Sequence, residues 1–136
     1  MEQMIPLIGT NVIVRFLIGD EDSKYKNLYN FFMQLEQGKI QVELKLIVLF
    51  QVIFVLTSFY KIPRPRVAEV LSDLLKYRGI KIKEKKTVKR MLLLWKKHSL
   101  DIVDCYLLAL LETEPQNVLY SYDKDFDKFG LNRKEP

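Results

Sequence analysis

Short apolar runs alternate along this chain with longer stretches whose apolar residues recur at helical spacing, and this alternation constrains the fold more than any other feature. Ile5–Ile8, ended by Gly9, reads as a buried strand. Thr10 and Asn11 open an apolar stretch to Leu17, and the acidic turn Asp20–Ser23 caps the next helix. Tyr25, Leu28, Tyr29, Phe32 and Leu35 or Met33 predict that helix, which stops near Gly38. After Pro63 and Pro65 comes a second stripe, Val67, Val70, Leu71, Leu74 and Leu75, ending at Gly79. Ile80 and Ile82 alternate with lysines as a short strand, and Lys85–Lys97 is a basic amphipathic helix carrying Val88, Met91, Leu92 and Trp95. Asp101–Glu112 is apolar nearly all round and reads as a buried helix, Val118–Tyr122 as the last strand, and Asp123–Phe129 as a short final segment. Strands separated by helices predict an α/β domain with a mainly parallel sheet, whose ligand site lies beyond the carboxyl ends of the strands.

Leu46–Leu56 is the most apolar segment, eleven residues interrupted by Gln51. A membrane-spanning helix needs roughly 20 residues, so the run reads as core, with strand, helix and strand-into-helix all open. With 136 residues, 49% of them apolar, the chain can bury a core without metal or disulfide staples, since a domain of about 150 residues hides roughly 68–70% of its unfolded surface. The single Cys105 forms no internal bridge and suits a reducing, cytoplasmic setting. MEQMIPLIGT lacks the basic, apolar and small-residue regions of a signal peptide, which argues against export. Charge is uneven: residues 61–97 hold 13 basic side chains against three acids, an excess of +10, while the rest of the chain carries nine against 14. Such asymmetry fits a basic surface facing a polyanion, and it also fits solvated helix faces.

Several polar residues sit where they need an explanation. Asp104 lies inside the apolar run 102–108, and a buried carboxylate requires a partner. Two readings stand: a site facing a pocket or metal, or a capping-box variant with Asp101 as the helix cap. Asp123, Asp125 and Asp127 alternate like the start of a calcium loop, but Lys128 and Lys134 occupy the positions that need Gly and Glu. Asp123 can equally cap a helical turn. Thr10 and Asn11 follow the first strand and can project at the sheet's carboxyl end. Gln51 needs hydrogen-bond partners if buried, so it faces polar groups or is a satisfied core amide. His98, the only histidine, ends a basic helix, and no phosphate loop, catalytic triad or zinc spacing is present. Carboxylate chemistry is what remains, and carboxylates favour Mg²⁺ or Mn²⁺.

Gly9-Thr10-Asn11-Val12, then Phe50-Gln51-Val52, then Asp101-Ile-Val-Asp104-Cys-Tyr, then Ser121-Tyr-Asp123-Lys-Asp125-Phe126 together resemble the PIN domain, and most of all the VapC-type toxins of prokaryotic toxin–antitoxin pairs. The resemblance implies a PIN-like three-layer α/β domain over residues 1–136, with a central mainly parallel sheet flanked by helices. It also implies an acidic pocket that binds Mg²⁺ or Mn²⁺ and hydrolyses single-stranded or structured RNA. Carried over, Asp104 and Asp123 match the third and fourth family acids and would be catalytic and metal-binding. Asp101 and Asp125 match flanking acids that assist the metal, and Thr10, Asn11 and Ser121 match supporting polar residues. Pairing with a cognate antitoxin and homodimer formation are implied too.

Two positions depart from the pattern: Gly9 stands where the first acid belongs, and Gln51 where the family carries Glu. Gly9 removes a ligand outright; Gln51 keeps the size of Glu without its charge. A cation that must lower the pKa of a water and neutralise a phosphate depends on placement, and a displacement of about 1 Å can cost roughly 10²-fold. The sequence therefore predicts weak metal binding and a ribonuclease scaffold with little turnover, or a non-catalytic module that binds RNA or an antitoxin.

Overall fold

The computed structural model describes residues 4–20 and 22–136; Met1–Gln3 of the amino-terminal motif and Glu21 of the acidic turn lie outside the described residues. The chain forms two compact units, Met1–Lys85 and Lys86–Pro136.

In the first unit, α1 (Thr10–Ile18) starts from an extended Gly9, and α2 (Leu28–Gln37) comes after a 3-10 turn at Ser23–Tyr25. The acidic turn caps the 3-10 turn rather than α2: Asp22 Oδ1 accepts from the Lys24 N–H at 3.1 Å, while α2 begins behind Asn27 with no side-chain cap. The Phe16 and Phe32 rings stack with centroids 3.9 Å apart, fixing α1 against α2. Gly38 ends α2 with φ 76°, a left-handed conformation that glycine adopts without steric penalty. Strand β1 (Val42–Glu43) pairs in parallel with β2 (Ile80–Lys81), and Leu7 bridges Glu43 in parallel on the other side. The expected strand at Ile5–Ile8 is thus reduced to a single bridge, with Ile8 buried and Leu7 65% exposed. Gly79 is the tightest junction of this unit. Its N–H donates to the Leu35 carbonyl at 2.7 Å, and its own carbonyl accepts from Val42 N–H at 2.8 Å.

The ambiguous apolar run resolves as helix: α3 (Leu46–Phe54) runs directly into a π-helix, Val55–Phe59. Leu49, Val52, Ile53 and Leu56 are core, as expected for this segment, but Ile47 and Phe54 are exposed. Thr57 Oγ1 donates to the Ile53 carbonyl at 2.8 Å, a back-bond of the kind that bends helices, and Tyr60 N–H reaches the Val55 carbonyl five residues back. Helix α4 (Arg64–Leu74) starts after Pro63 with Pro65 in its first turn, where the missing N–H is tolerated. Val67, Leu71, Leu74 and Leu75 of the predicted stripe are buried.

The second unit contains α5 (Lys85–Lys97), whose Val88, Met91, Leu92 and Trp95 form a buried face beneath exposed lysines, and α6 (Ile102–Thr113). Strand β3 (Leu119–Tyr120) pairs in parallel with β4 (Arg133–Lys134) around a 3-10 segment, Lys124–Phe129. Among the described residues every strand pairing is parallel, as the α/β reading expects, but the strands are two residues long and form two two-stranded sheets, one in each unit, in place of one central sheet. Among the described residues, no helix is long and apolar enough to cross a membrane.

Candidate functional site

The acidic candidates of the second unit gather where α6 begins and β3 ends. Asp101 occupies the N-cap position of α6 with an extended backbone, but its carboxylate makes no capping hydrogen bond. Asp104 sits in the first helical turn, half-buried. Partial burial and the nearby Asp101 and Asp123 carboxylates push its carboxyl above the usual range. The causes of that shift are desolvation and like charge, both of which disfavour the ionised form. The capping-box reading of Asp101 and Asp104 is therefore met in position only. What the structure brings together is Asp104 with two further carboxylates, Asp101 and Asp123, close enough for their charge to act on it.

Asp123 has a double role. It caps the final 3-10 segment, its Oδ1 accepting from Asp125 N–H at 2.9 Å, so the cap expected there is present. Ser121 Oγ accepts from Asp123 N–H at 3.0 Å, which makes Ser121 a direct support of the turn. Asp125 is exposed and joins this arrangement through its backbone. Behind the turn stands a residue that the sequence does not single out. Arg133 grips Asp127 bidentately at 2.7 and 3.1 Å and donates to the Ser121 carbonyl at 2.8 Å. That bond holds the Asp127 carboxyl below its usual range. Only the i, i+6 spacing of an Asp and an Arg across a turn signals it in the sequence.

The first-unit candidates are polar but uncharged. Gly9 lies at the N-cap of α1 with φ −92° and ψ 162°, an extended conformation open to any residue. A Cβ added there would meet only Asn11 Oδ1, at 3.9 Å. Nothing in the backbone requires glycine at this position. Thr10 is half-buried and Asn11 exposed at the start of α1. Gln51 is exposed on α3, so the expected interior polar environment is replaced by solvent. Beside Thr10 and Asn11 lie the rings of Phe54, Phe59 and Tyr60, which a purely apolar reading of the segment assigns to core.

A hard divalent cation takes about six oxygen ligands and is usually anchored by one or two carboxylates with water and substrate phosphate completing the shell. Among the described residues, no group of three or more His, Cys, Asp or Glu side chains is placed to hold a metal ion. Gly9 offers no donor and Gln51 only a neutral amide. Asp104 feels the charge of Asp101 and Asp123, but the three do not converge as a ligand set. The residues present therefore do not fit a closed catalytic metal centre.

The family model described as PIN domain matches residues 7–131, a span that includes every candidate above and reaches into both units. No curated protein and no solved structure matches the chain.

Proposed function

The chain belongs to the PIN domain family, whose fold is of nuclease type, and from that premise we propose a VapC-like endoribonuclease scaffold, one domain over residues 1–136, with impaired turnover. The observation that carries this reading is the acidic cluster at the start of α6: burial first, and then the Asp101 and Asp123 charges, raise the Asp104 carboxyl. A folded chain gains nothing from a carboxyl so placed, whereas a cation-dependent nuclease needs such acids. The impairment stems from Gly9 and Gln51. Hydrolysis of a phosphodiester requires a water made nucleophilic and charge neutralised on the scissile phosphate, and both depend on anionic ligands that these residues cannot supply. Mg²⁺ or Mn²⁺ would bind weakly through Asp104 and Asp123, with Asp101 and Asp125 nearby.

RNA is the proposed substrate class. Exposed Lys76, Lys81, Lys83, Lys86, Lys89, Lys96 and Lys97 supply sequence-independent phosphate contacts whose contribution falls with salt. A cognate antitoxin, homodimer formation and a cytoplasmic setting belong to the same reading. The test is reversion. The Gly9→Asp, Gln51→Glu protein should cleave single-stranded RNA in Mn²⁺ at least about 10²-fold faster than the present chain. A reverted protein that binds no Mn²⁺ and cuts no RNA removes the nuclease assignment.

A second reading, a non-catalytic PIN-fold module for RNA or antitoxin binding, is favoured by the lack of a convergent ligand set among the described residues. RNA affinity that persists in EDTA and is untouched by Asp104→Asn supports it over the first.

A further inference from the structure

A groove of about 530 Å³ runs along the first unit where α1 faces the end of α3 and the π-helix, lined by Thr10, Asn11, Arg15, Phe54, Phe59 and Tyr60 among others. Its volume falls within the roughly 300–1,000 Å³ of ligand clefts. Phe54 is 59% exposed and Phe59 74% exposed, and Phe59 meets the Tyr60 ring at 4.9 Å in a T-shaped contact, so two large rings stand largely in water. In an α-helix, residues five apart point roughly 140° away from each other. The π-helix at Val55–Phe59 widens the turn, and both rings line the same groove.

The lining decides between occupants. Among the described residues, Arg15 is the one charged side chain in it and no carboxylate lines it, while exposed Lys61 follows Tyr60 directly. The Arg15 guanidinium is engaged by Asp20 at 2.8 Å and lies 5.0 Å from the Tyr25 ring centroid, so the polar groups the lining itself offers are Thr10 and Asn11. An aliphatic peptide would cover the rings but leave Thr10 and Asn11 against apolar surface. A nucleotide satisfies both halves: a flat base for the rings, and hydroxyl or phosphate oxygens for the donors.

We propose that this groove is a base-stacking subsite for single-stranded nucleic acid, with Phe54 and Phe59 as the stacking faces. The proposal rests on the RNA-directed reading above and adds to it where the bases go. The subsite contains Thr10 and Asn11, immediately after Gly9, so a strand held there passes the first of the two positions that depart from the family's acids.

The test uses the full chain in EDTA with a fluorescently labelled oligoadenylate of about ten nucleotides and an abasic ribose-phosphate chain of equal length and charge. The oligoadenylate should bind roughly 5- to 100-fold more tightly than the abasic chain, the range that stacking provides. Phe59→Ala and Phe54→Ala should each remove much of that preference while leaving abasic affinity unchanged; both side chains are exposed, so folding is not at stake. Phe59→Trp should retain the preference and show indole quenching on binding. Phe59→Leu keeps an apolar side chain without a π-face and should lose the preference. Equal affinity for the two chains overturns the proposal, as does full retention by Phe59→Leu. A Phe59→Ala effect confined to the monomer–dimer equilibrium, meaning a second copy fills the groove, overturns it too. The two readings fail separately: RNA cleavage by the reverted protein without base preference removes only the subsite, and base preference without cleavage removes only the nuclease.

Discussion

The positions around Gly9 and Gln51 and those around Asp104 and Asp123 present opposite chemistry. The first region has a sound backbone with room for side chains and no charge: Gly9 is extended with open space beside it, and Gln51 is exposed. The second has its charges: burial, with Asp101 and Asp123 nearby, raises the Asp104 carboxyl. Acids that serve folding are paired, as Asp127 is with Arg133 and Glu112 with Arg90. One unit holds acids without such a partner, and the other holds a helix start whose backbone would accept an acid at position 9.

The first arm of this contrast depends on Gly9 being dispensable to the backbone, and Gly79 provides the measure. A Cβ at Gly79 would overlap the Ile40 carbonyl oxygen and lie 2.9 Å from the Leu35 carbonyl oxygen, both of them backbone atoms that cannot swing aside. Gly79→Ala should therefore destabilise the protein by about 3 kcal/mol, the upper part of the range for overpacking, as read by denaturant unfolding. Gly9→Ala should leave stability within about 1 kcal/mol, losing only the mild preference for glycine over alanine at a cap. Comparable losses at the two glycines would mean that Gly9 is structural, and the argument for a missing ligand would collapse.

The second arm can be broken by pH. Burial and the Asp101 and Asp123 charges hold the Asp104 carboxyl above the ordinary 3.8. The folded chain thus binds this proton more tightly than the unfolded chain does, and the stability contributed here falls as pH rises from 3.8 through the raised value. Asp127 and Asp20 have the opposite sign. Each is held below 3.8, the first mainly by its bond from Arg133 and the second mainly by the Asp22 N–H, so their stabilisation is present at neutral pH and lost as pH falls below 3.8. Asp104→Asn should make the protein more stable at pH 7, by no more than about 1 kcal/mol because solvent screens a half-buried group, and the gain should vanish toward pH 3. A loss of stability at pH 7 would show instead that the carboxylate is held by a favourable partner, and burial beside like charges would be the wrong description.

Legibility in the sequence tracks the length scale of the signal. Helix α5 is readable to its ends because its apolar residues recur at 3.6 spacing beneath a continuous row of lysines, and Gly38 marks the end of α2 by its backbone freedom. The strands are overestimated because four apolar residues in a row, such as Ile5–Ile8, fit a buried strand whether or not a neighbour pairs with them; here the run makes one bridge, through the Pro6 carbonyl and Ile8 N–H to Glu43. Leu46–Leu56 has no polar face to set a phase, so neither its helical state nor the outward side chains of Ile47 and Phe54 can be read. The π-turn is invisible for the same reason. Asp104 and Asp123 are conspicuous as charges in apolar or turn contexts, whereas Arg133 disappears among 22 basic residues because its importance lies in three hydrogen-bonding partners that only folding brings together.

The smallest effect separates capping from chemistry at Gly9. Aspartate is among the best N-cap residues and glycine a moderate one, and a negative charge there also faces the positive end of α1, whose first turn holds no acid. Gly9→Asp should raise stability by a few tenths to about 1 kcal/mol without metal, and most of that gain should survive in Gly9→Asn, which caps as well but carries no charge. Mn²⁺ then divides the two variants. If the position faces a cation, added Mn²⁺ raises the melting temperature of Gly9→Asp and leaves that of Gly9→Asn where it was, because a ligand that binds only the folded state stabilises it in proportion to its affinity. Identical responses would make Gly9 a cap and nothing more, and the two regions would then differ in helix-end chemistry alone.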